Sequence, residues 1–167
     1  SVDMDKQGFV YVANNKGLMV YDGVDWKIFP LPSRTILRSV ACSNNDLIYT
    51  GSHEDFGYWK KDASEGLKYH SLVPLLDNFD LHNHEIWKIV ELGNKVYFQG
   101  FSSLFVYDKK TVKSIELPGT IVFLLKAGKR LFAHSVQGQL YEVINDKFIA
   151  VGNSNIMTGT EVRTILP

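Results

Sequence analysis

Hydrophobic and polar residues alternate along most of this chain, in short segments separated by turn residues. The stretches "NKGLMVYDGVDWKIF" (Asn15–Phe29) and "SSLFVYDKKTVKSIEL" (Ser102–Leu117) both enter an apolar strand, reach Tyr-Asp, turn, and enter a second strand. Gly, Asn, Asp and Lys end these segments, as is typical of tight turns between strands. Helical spacing is nearly absent, and Pro74 limits one short turn around Leu72–Asp77. The pattern predicts an all-β protein.

The segments fall into four similar units, which we call blades. The second, third and fourth blades are each predicted to contain four antiparallel strands, named a, b, c and d in chain order. The predicted blades cover residues 1–32, 36–72, 85–118 and 121–151. The first blade shows no strand a, and residues 161–166 look like a strand a alone, which belongs to a following blade or closes the first.

The repeat length identifies the architecture. Aromatic residues mark the middle of each strand b at Tyr11, Tyr49, Tyr97 and Phe132, so that the residue numbers differ by 38, 48 and 35. A period near 40 residues with four strands per unit is the signature of a β-propeller. We therefore predict a β-propeller of four-stranded antiparallel blades. Because both ends look cut, we expect a fragment of a larger propeller of about seven blades.

Composition argues against several classes of function and structure. Lys+Arg and Asp+Glu both number 18, so the chain lacks the basic excess that a nucleic-acid surface needs. No apolar run approaches the roughly 20 residues of a membrane helix. The single cysteine, Cys42, excludes an internal disulfide and lies in an apolar strand pattern, where we expect a buried, inert thiol.

The first blade resembles the two-component regulator propeller repeat. The residues that match are Asp5, Gly8, Val10, Tyr11, Val12, Gly17, Leu18, Tyr21, Asp22, Gly23, Trp26 and Phe29. The second and third blades keep parts of the pattern in "LIYTGSHEDFGYW" and "VYFQGFSSLFVYD", whereas "LFAHSVQGQLYEV" in the fourth lacks Tyr-Asp. Tyr11 replaces the usual Trp of that repeat.

This resemblance implies an extracytoplasmic, periplasmic sensor of a membrane-bound bacterial regulator. In such proteins the propeller belongs to a hybrid histidine kinase or a related transcriptional regulator, and often senses carbohydrate fragments. The expected partners are an oligosaccharide ligand and a second copy of the full sensor in a homodimer. No nucleic-acid binding is expected, and the membrane would be reached only through segments outside this chain.

Propeller ligands bind where the b–c and d–a loops crowd together at one end of the central channel. Four of the five histidines fall in these loops. Strand a lines the channel, so its arginines could bind an anionic sugar bidentately or pair with a neighbouring blade's carboxylate. The predicted ligand-binding residues are Arg34, Arg38, His53, Glu54, Phe56, His82, His84, Phe101, His134 and Arg163.

The loops also contain residues that could bind a metal or act as catalytic acids. His82, His84 and a carboxylate could hold zinc, but loop histidines are more often solvated, and we predict no metal and no cofactor. Glu54, Asp55, Asp77 and Asp80 could supply a carboxylate pair for glycoside chemistry. No nucleophile elbow, P-loop or dinucleotide fingerprint is present.

We therefore predict a non-catalytic sensor propeller that controls transcription through modules outside this chain. The alternatives are a propeller enzyme acting on glycans, as a lyase or glycoside hydrolase, and a protein-interaction propeller. The tryptophans Trp26, Trp59 and Trp87 are expected to fill the space between blades rather than to stack on a sugar.

Overall fold

The computed structural model describes residues 1–63, 66–77 and 79–152. Within these ranges the chain forms four antiparallel sheets of four strands each. Blade 1 consists of β1 (Val2–Met4), β2 (Val10–Asn14), β3 (Gly17–Tyr21) and β4 (Trp26–Phe29). Blade 2 consists of β5 (Leu37–Cys42), β6 (Ile48–Ser52), β7 (Phe56–Asp62) and β8 (Gly66–Ser71).

The second half of the chain repeats this arrangement. Blade 3 consists of β9 (Lys88–Leu92), β10 (Lys95–Gln99), β11 (Leu104–Tyr107) and β12 (Val112–Ile115). Blade 4 consists of β13 (Ile121–Ala127), β14 (Arg130–Ser135), β15 (Leu140–Ile144) and β16 (Lys147–Ala150). A 3₁₀ turn at Val73–Leu75 lies between blades 2 and 3. None of the described helices is long and apolar enough to cross a membrane.

The arrangement of the sheets confirms the predicted β-propeller fold. In every blade the strands pair in chain order, so each blade is a meander of strands a, b, c and d. The a strands stand side by side, because β1 contacts β5, β5 contacts β9, and β9 contacts β13. Successive blades therefore stack around the line of their first strands.

The first blade differs from the prediction, because it does have a strand a. β1 pairs antiparallel with β2, with Val2 opposite Val12 and Met4 opposite Val10. Three residues are too few to show an alternating pattern, and only the pairing with β2 identifies the strand. The strand predicted at residues 161–166 lies outside the described residues.

Alternate residues of each strand pack against different neighbouring blades. In β10, Val96 and Phe98 belong to the apolar cluster shared with blade 2, whereas Tyr97 between them belongs to the cluster shared with blade 4. In β11, Phe105 likewise faces blade 2 and Val106 faces blade 4. Successive side chains of a strand point to opposite faces, so each blade buries both of its faces only between two neighbours.

The strand-b tyrosines are anchored at the opposite end of the sheets from the b–c loops. The Lys109 ammonium, in the c–d turn of blade 3, donates to the Tyr49 hydroxyl at 2.7 Å and to Glu91 Oε1 at 3.1 Å. The Tyr97 hydroxyl donates to Asp146 Oδ1 at 2.9 Å, in the c–d turn of blade 4. Each of these tyrosines thus links its own blade to the next one.

The long connection between blades 2 and 3 packs between these blades. Leu72 and Leu81 are buried in the cluster that the two blades share. Leu76 forms a β-bridge with Val112, and the Phe79 ring meets Phe105 edge-on at 4.9 Å between centroids. The long connection therefore stabilises the interface between blades 2 and 3, and it also extends to the end of the sheets where the b–c loops lie.

The clustering of aromatic rings between blades 2 and 3 leads to a stability prediction. Phe56 is 0% exposed and lies 4.7 Å from Phe98 and 5.1 Å from Phe105, measured between ring centroids. We expect Phe56→Ala to lower the free energy of unfolding by about 3–5 kcal/mol, because it leaves a cavity in the interface. Urea denaturation measures this loss. The matched control is Phe101→Ala, 56% exposed, which should cost under about 1 kcal/mol, and equal losses would contradict the assignment.

The buried tyrosines predict how stability depends on alkaline pH. Burial raises the pKa of Tyr11, Tyr49 and Tyr97 well above the ordinary value near 10. The folded protein therefore holds these phenol protons more tightly than the unfolded chain. Their contribution to stability is complete below about pH 10 and is lost as the pH rises above it towards the folded-state pKa values.

We expect the free energy of unfolding, measured in urea at several pH values, to fall above about pH 10. Tyr97→Phe should make this fall less steep. Tyr21→Phe, which removes an exposed hydroxyl bonded to the Gly23 carbonyl, serves as control and should leave the slope unchanged. An identical slope in the parent protein and Tyr97→Phe would contradict the prediction.

Candidate ligand-binding cleft

A small cleft opens where the b–c loops of blades 2 and 3 meet the segment that enters β9. Its volume is about 190 Å³. The residues that line it are His53, Asn83, His84, Glu85, Trp87, Phe101 and Ser102.

Backbone hydrogen bonds hold the entering segment in place. The Ile86 amide donates to the Ser52 carbonyl at 3.0 Å, and the Trp87 amide donates to the Gln99 carbonyl at 2.8 Å. A Cβ at Gly51 would lie 2.4 Å from Ile86 Cγ2, so only glycine allows the fully buried Ile86 side chain to come this close. The segment is therefore fixed between two blades, and the side chains on either side of Ile86 have defined positions.

Two partly exposed aromatic rings form one wall of the cleft. The Trp87 side chain is 39% exposed and Phe101 is 56% exposed, with ring centroids 5.4 Å apart. The Arg38 guanidinium lies 5.0 Å from the centre of the Trp87 ring, a cation–π contact. Trp87 is therefore held between a cation and a second ring, and an apolar surface remains open to solvent.

Arg38 has a carboxylate partner. Its Nε and Nη2 donate to Glu85 Oε1 at 3.2 and 2.9 Å, and both side chains are about one quarter to one third exposed. Of the two roles predicted for this arginine, the structure shows the pairing with a carboxylate at the neighbouring blade. The charge of Arg38 is neutralised at the cleft.

Glu54 links the b–c loop of blade 2 by hydrogen bonds to the long connection between blades 2 and 3. Its backbone is left-handed (φ 59°), and its amide donates to the His84 carbonyl at 2.8 Å. Its Oε1 accepts the Asn83 amide at 2.7 Å and lies 2.9 Å from His82 Nδ1 and 3.4 Å from His53 Nε2. The Asn83 amide and the two imidazoles lower the pKa of Glu54, so this carboxyl is ionised at neutral pH.

A larger groove begins on the other side of the same aromatic pair. Its volume is about 440 Å³, and its apolar floor comes from β13 of blade 4. The Gln99 amide nitrogen donates to the carbonyls of Ile121 at 3.1 Å and Val122 at 3.2 Å, while its Oε1 has no hydrogen-bond partner among the described residues. Trp87 and Phe101 line both spaces, so the cleft and the groove meet at the aromatic pair.

Several predicted ligand-binding residues lie elsewhere. Phe56 is part of the core between blades 2 and 3, and His134 is 3% exposed in β14, so neither reaches the surface. Both sit at strand positions whose side chains point into the sheet stack rather than into a loop. Arg34 is exposed in the connection before β5, apart from the residues that line the cleft. Arg163 lies outside the described residues.

The residues considered for metal or acid chemistry have separate partners. His82 faces Glu54, whereas His84 Nδ1 is 3.2 Å from Ser103 Oγ. Asp55 accepts the Ser71 hydroxyl at 2.7 Å. Across the described ranges no three His, Cys, Asp or Glu side chains are grouped as metal ligands. Of the carboxylates considered, Asp80 lies near enough to Glu54 to oppose the lowering of its pKa, an effect that the hydrogen bond from the Asn83 amide outweighs.

The tryptophans behave differently from one another. Trp59 fills the interface between blades 1 and 2, as expected, and donates its indole N–H to Thr50 Oγ1 at 3.0 Å. Trp26 and Trp87 are 52% and 39% exposed, so the expectation that all three tryptophans fill the space between blades is wrong for these two within the described residues. The sequence analysis consequently missed Trp87 as a site residue, although its position before a strand a in a His-rich segment was visible.

Cys42 is the last residue of β5, and its amide donates to Asp3 of β1. Burial, with the nearby carboxylates of Asp3 and Asp5, raises the pKa of its thiol to about 12. The thiol is protonated at neutral pH and is a poor nucleophile, as predicted, although Cys42 is only half-buried.

Comparisons with known proteins identify the fold. No protein-family model and no curated protein sequence match this chain. Virginiamycin B lyase from Staphylococcus aureus superposes with a TM-score of 0.69 at 11% identity, over 91% of this chain and 55% of that one. The extracellular domain of a putative hybrid two-component system from B. thetaiotaomicron gives 0.67 at 18% identity, over 90% and 21%.

A third similar structure is PorZ, a surface component of the type-IX secretion system of Porphyromonas gingivalis. It has a TM-score of 0.62 at 14% identity and covers 100% of this chain and 22% of its own. The chain thus spans between about a fifth and about half of these three proteins. At these identities the likeness shows the β-propeller fold alone.

The position of Glu54 predicts an acid-sensitive contribution to stability. Its folded-state pKa is lowered, so its contribution is present above the ordinary glutamate pKa near 4.5 and is lost as the pH falls through the folded-state value. We expect Glu54→Gln to unfold at lower urea than the parent at pH 7, and the difference to vanish in acid. The exposed Glu116→Gln serves as control. A difference that persists unchanged in acid would contradict the assignment.

Proposed function

We propose that this propeller is a non-catalytic sensor module that binds a carbohydrate-derived ligand at the cleft of His53, Glu85, Trp87 and Phe101. The observation that carries the proposal is the partly exposed Trp87–Phe101 pair, held in place by Arg38. Ligand sites combine apolar and aromatic walls with a few fixed polar groups, and this cleft does so. Aromatic faces suit the C–H surface of a sugar ring, and the polar rim suits its hydroxyls.

The charge of the cleft favours an uncharged sugar. Arg38 is already paired with Glu85, and Glu54 already accepts a backbone N–H between two imidazoles. An anionic group would have to displace Glu85 from Arg38 and would leave that carboxylate without its partner, which is unfavourable. We therefore propose neutral oligosaccharides as the ligand class, in place of the anionic sugar considered from the sequence.

A binding role is also favoured over catalysis. A general acid requires a carboxyl with a raised pKa near the reacting bond. Glu85, which lines the cleft, is paired with Arg38, and Glu54 in the neighbouring loop has a lowered pKa. Asp55 has a raised pKa through burial, but its carboxylate is engaged by Ser71 beside strand d of blade 2. The likeness to virginiamycin B lyase keeps a propeller enzyme as the second candidate.

The proposed context is extracytoplasmic. The similar domain from B. thetaiotaomicron is extracellular and belongs to a putative hybrid two-component system. We propose that this propeller likewise lies in the periplasm, in a homodimeric sensor whose membrane anchor and transcriptional output lie in other segments. Ligand binding would have to favour one arrangement of the paired sensors over another to transmit a signal.

Titration with neutral and anionic oligosaccharides, followed by calorimetry and tryptophan fluorescence, tests the proposal. We expect a neutral glycan to bind, and Trp87→Ala to weaken binding about tenfold or more, the usual loss for a buried aromatic anchor. Trp26→Ala, another exposed tryptophan stacked on a ring, is the matched control and should bind normally. A flat response to the whole panel would overturn the proposal in favour of a protein-interaction propeller.

A turnover assay distinguishes a propeller enzyme from a non-catalytic sensor. The same glycans are incubated with the protein, and the products are separated by chromatography. Binding without new products supports the sensor proposal. Cleavage that Trp87→Ala weakens would instead place a catalytic reaction in this cleft.

A further inference from the structure

A separate pocket opens between blades 1 and 2, at the end of the sheets opposite the b–c loops. Its volume is about 300 Å³. Its apolar lining is Phe9, Tyr11, Val20 and Phe29 of blade 1 and Leu67 of blade 2. Tyr11 is buried at the bottom, whereas the Phe9 and Phe29 rings are partly exposed. This pocket shares no lining residue with the carbohydrate cleft.

The neighbouring interfaces show what covers the strand-b tyrosine at this end of the sheets. Lys61 of blade 2 is the counterpart of Lys109 of blade 3, because each follows by two residues the strand-c residue paired with the position before the strand-b tyrosine. The Lys109 ammonium lies 4.8 Å from the centre of the Tyr49 ring and donates to its hydroxyl. Between blades 3 and 4, Asp146 accepts the Tyr97 hydroxyl. In both interfaces, a charged side chain of the following blade reaches the tyrosine.

Tyr11 has a different hydrogen-bond partner. Its hydroxyl donates to Asp5 of its own blade at 2.9 Å. Strands c and d of blade 2 remain paired beyond Trp59, and Lys61 lies opposite Leu67. Lys61 therefore continues along the strand instead of turning back onto the tyrosine, and the pocket occupies the space that a lysine closes in the next interface.

The Lys61 ammonium brings a positive charge to this pocket. It lies 5.3 Å from the centre of the Phe9 ring, and no salt bridge joins it to a carboxylate of the described residues. Lys27 at the same pocket already pairs with Asp22, whose Oδ1 accepts two backbone amides. Asp62 also interacts with another group. Among the described lining residues, Lys61 is thus the charged group best placed to pair with a ligand.

We infer that this pocket is a second ligand site, distinct from the carbohydrate cleft, and that its ligand is a small aromatic carboxylate. The volume is at the lower end of the range for small-molecule sites, so a single-ring ligand fits it. The ring of the ligand packs against Phe29, Leu67 and the buried Tyr11, because aromatic rings favour offset or edge-on contacts with one another. The carboxylate lies at the rim, where it accepts a charge-assisted hydrogen bond from Lys61.

Three probes with the same ring and different head groups test the ligand class. They are phenylacetate, 2-phenylethanol and 2-phenylethylamine, and their binding is measured by calorimetry. We expect phenylacetate to bind about threefold more tightly than the alcohol, because an exposed ion pair adds up to about 1 kcal/mol. Equal binding of the alcohol, tighter binding of the amine, or no binding by any probe would overturn the inference.

The indole N–H signals in NMR spectra locate the bound probe. The Trp59 ring lies 6.3 Å from Phe29, between centroids, and so reports on this pocket, whereas Trp87 reports on the carbohydrate cleft. We expect phenylacetate to shift the Trp59 signal and not the Trp87 signal. A shift of the Trp87 signal alone would place the probe in the carbohydrate cleft and overturn the second site, without bearing on the proposed binding of oligosaccharides.

A pair of lysine substitutions tests the charge. Lys61→Met removes the ammonium and keeps an unbranched side chain, so phenylacetate should bind about threefold to fivefold more weakly while the alcohol binds as before. Lys60→Met is the matched control, because Lys60 is also exposed but points to the other face of β7. Equal weakening by both substitutions would mean that phenylacetate responds to net charge only and would overturn the role of Lys61.

Filling the pocket tests its location without a change of charge. Val20→Phe extends a ring into the pocket from blade 1, and Leu67→Phe does so from the partly exposed side in blade 2. We expect either variant to lose phenylacetate binding while it keeps a cooperative urea transition. If Val20→Phe fails to fold, Leu67→Phe decides the question. Unchanged binding in a folded variant would overturn the inference.

Discussion

Burial of both faces of every four-stranded sheet is the constraint on which this structure depends. A blade has one set of side chains on each face, and neither set can be buried within the blade itself. When the blades stack around their first strands, both faces of a blade are buried. Val96 and Tyr97 are adjacent in one strand, and they enter two different interfaces. The hydrogen bonds that join Tyr49 and Tyr97 to the next blade add polar links to an otherwise apolar contact.

The same constraint positions the candidate site. The segment that enters β9 must pass between blades 2 and 3, and Ile86 is buried there against Gly51. Trp87 follows Ile86 and so emerges at the loop end, where Arg38 from blade 2 and Phe101 from blade 3 meet it. The cleft therefore exists because two blades are packed together, and a single blade could not form it.

Where the sequence analysis misplaced residues, the cause was the boundary between strand and loop. Phe56 and His134 were assigned to b–c loops, but they begin or continue strands whose side chains are buried. The long connection before blade 3 likewise packs on blade 3 through Leu76 and Phe79. Local pattern shows that a residue is near a turn, and it does not show which neighbouring sheet receives its side chain.

The sequence by itself determined the strands, the blade repeat and the aromatic centre of each strand b, because a period of two and a turn spacing are local properties of the chain. The tertiary structure alone decided that Val2–Met4 completes blade 1 and that Trp87 is exposed while Trp59 is buried. It also paired Arg38 with Glu85, 47 positions further along the chain. These features depend on how one blade meets the next, and that geometry is set by packing between distant segments.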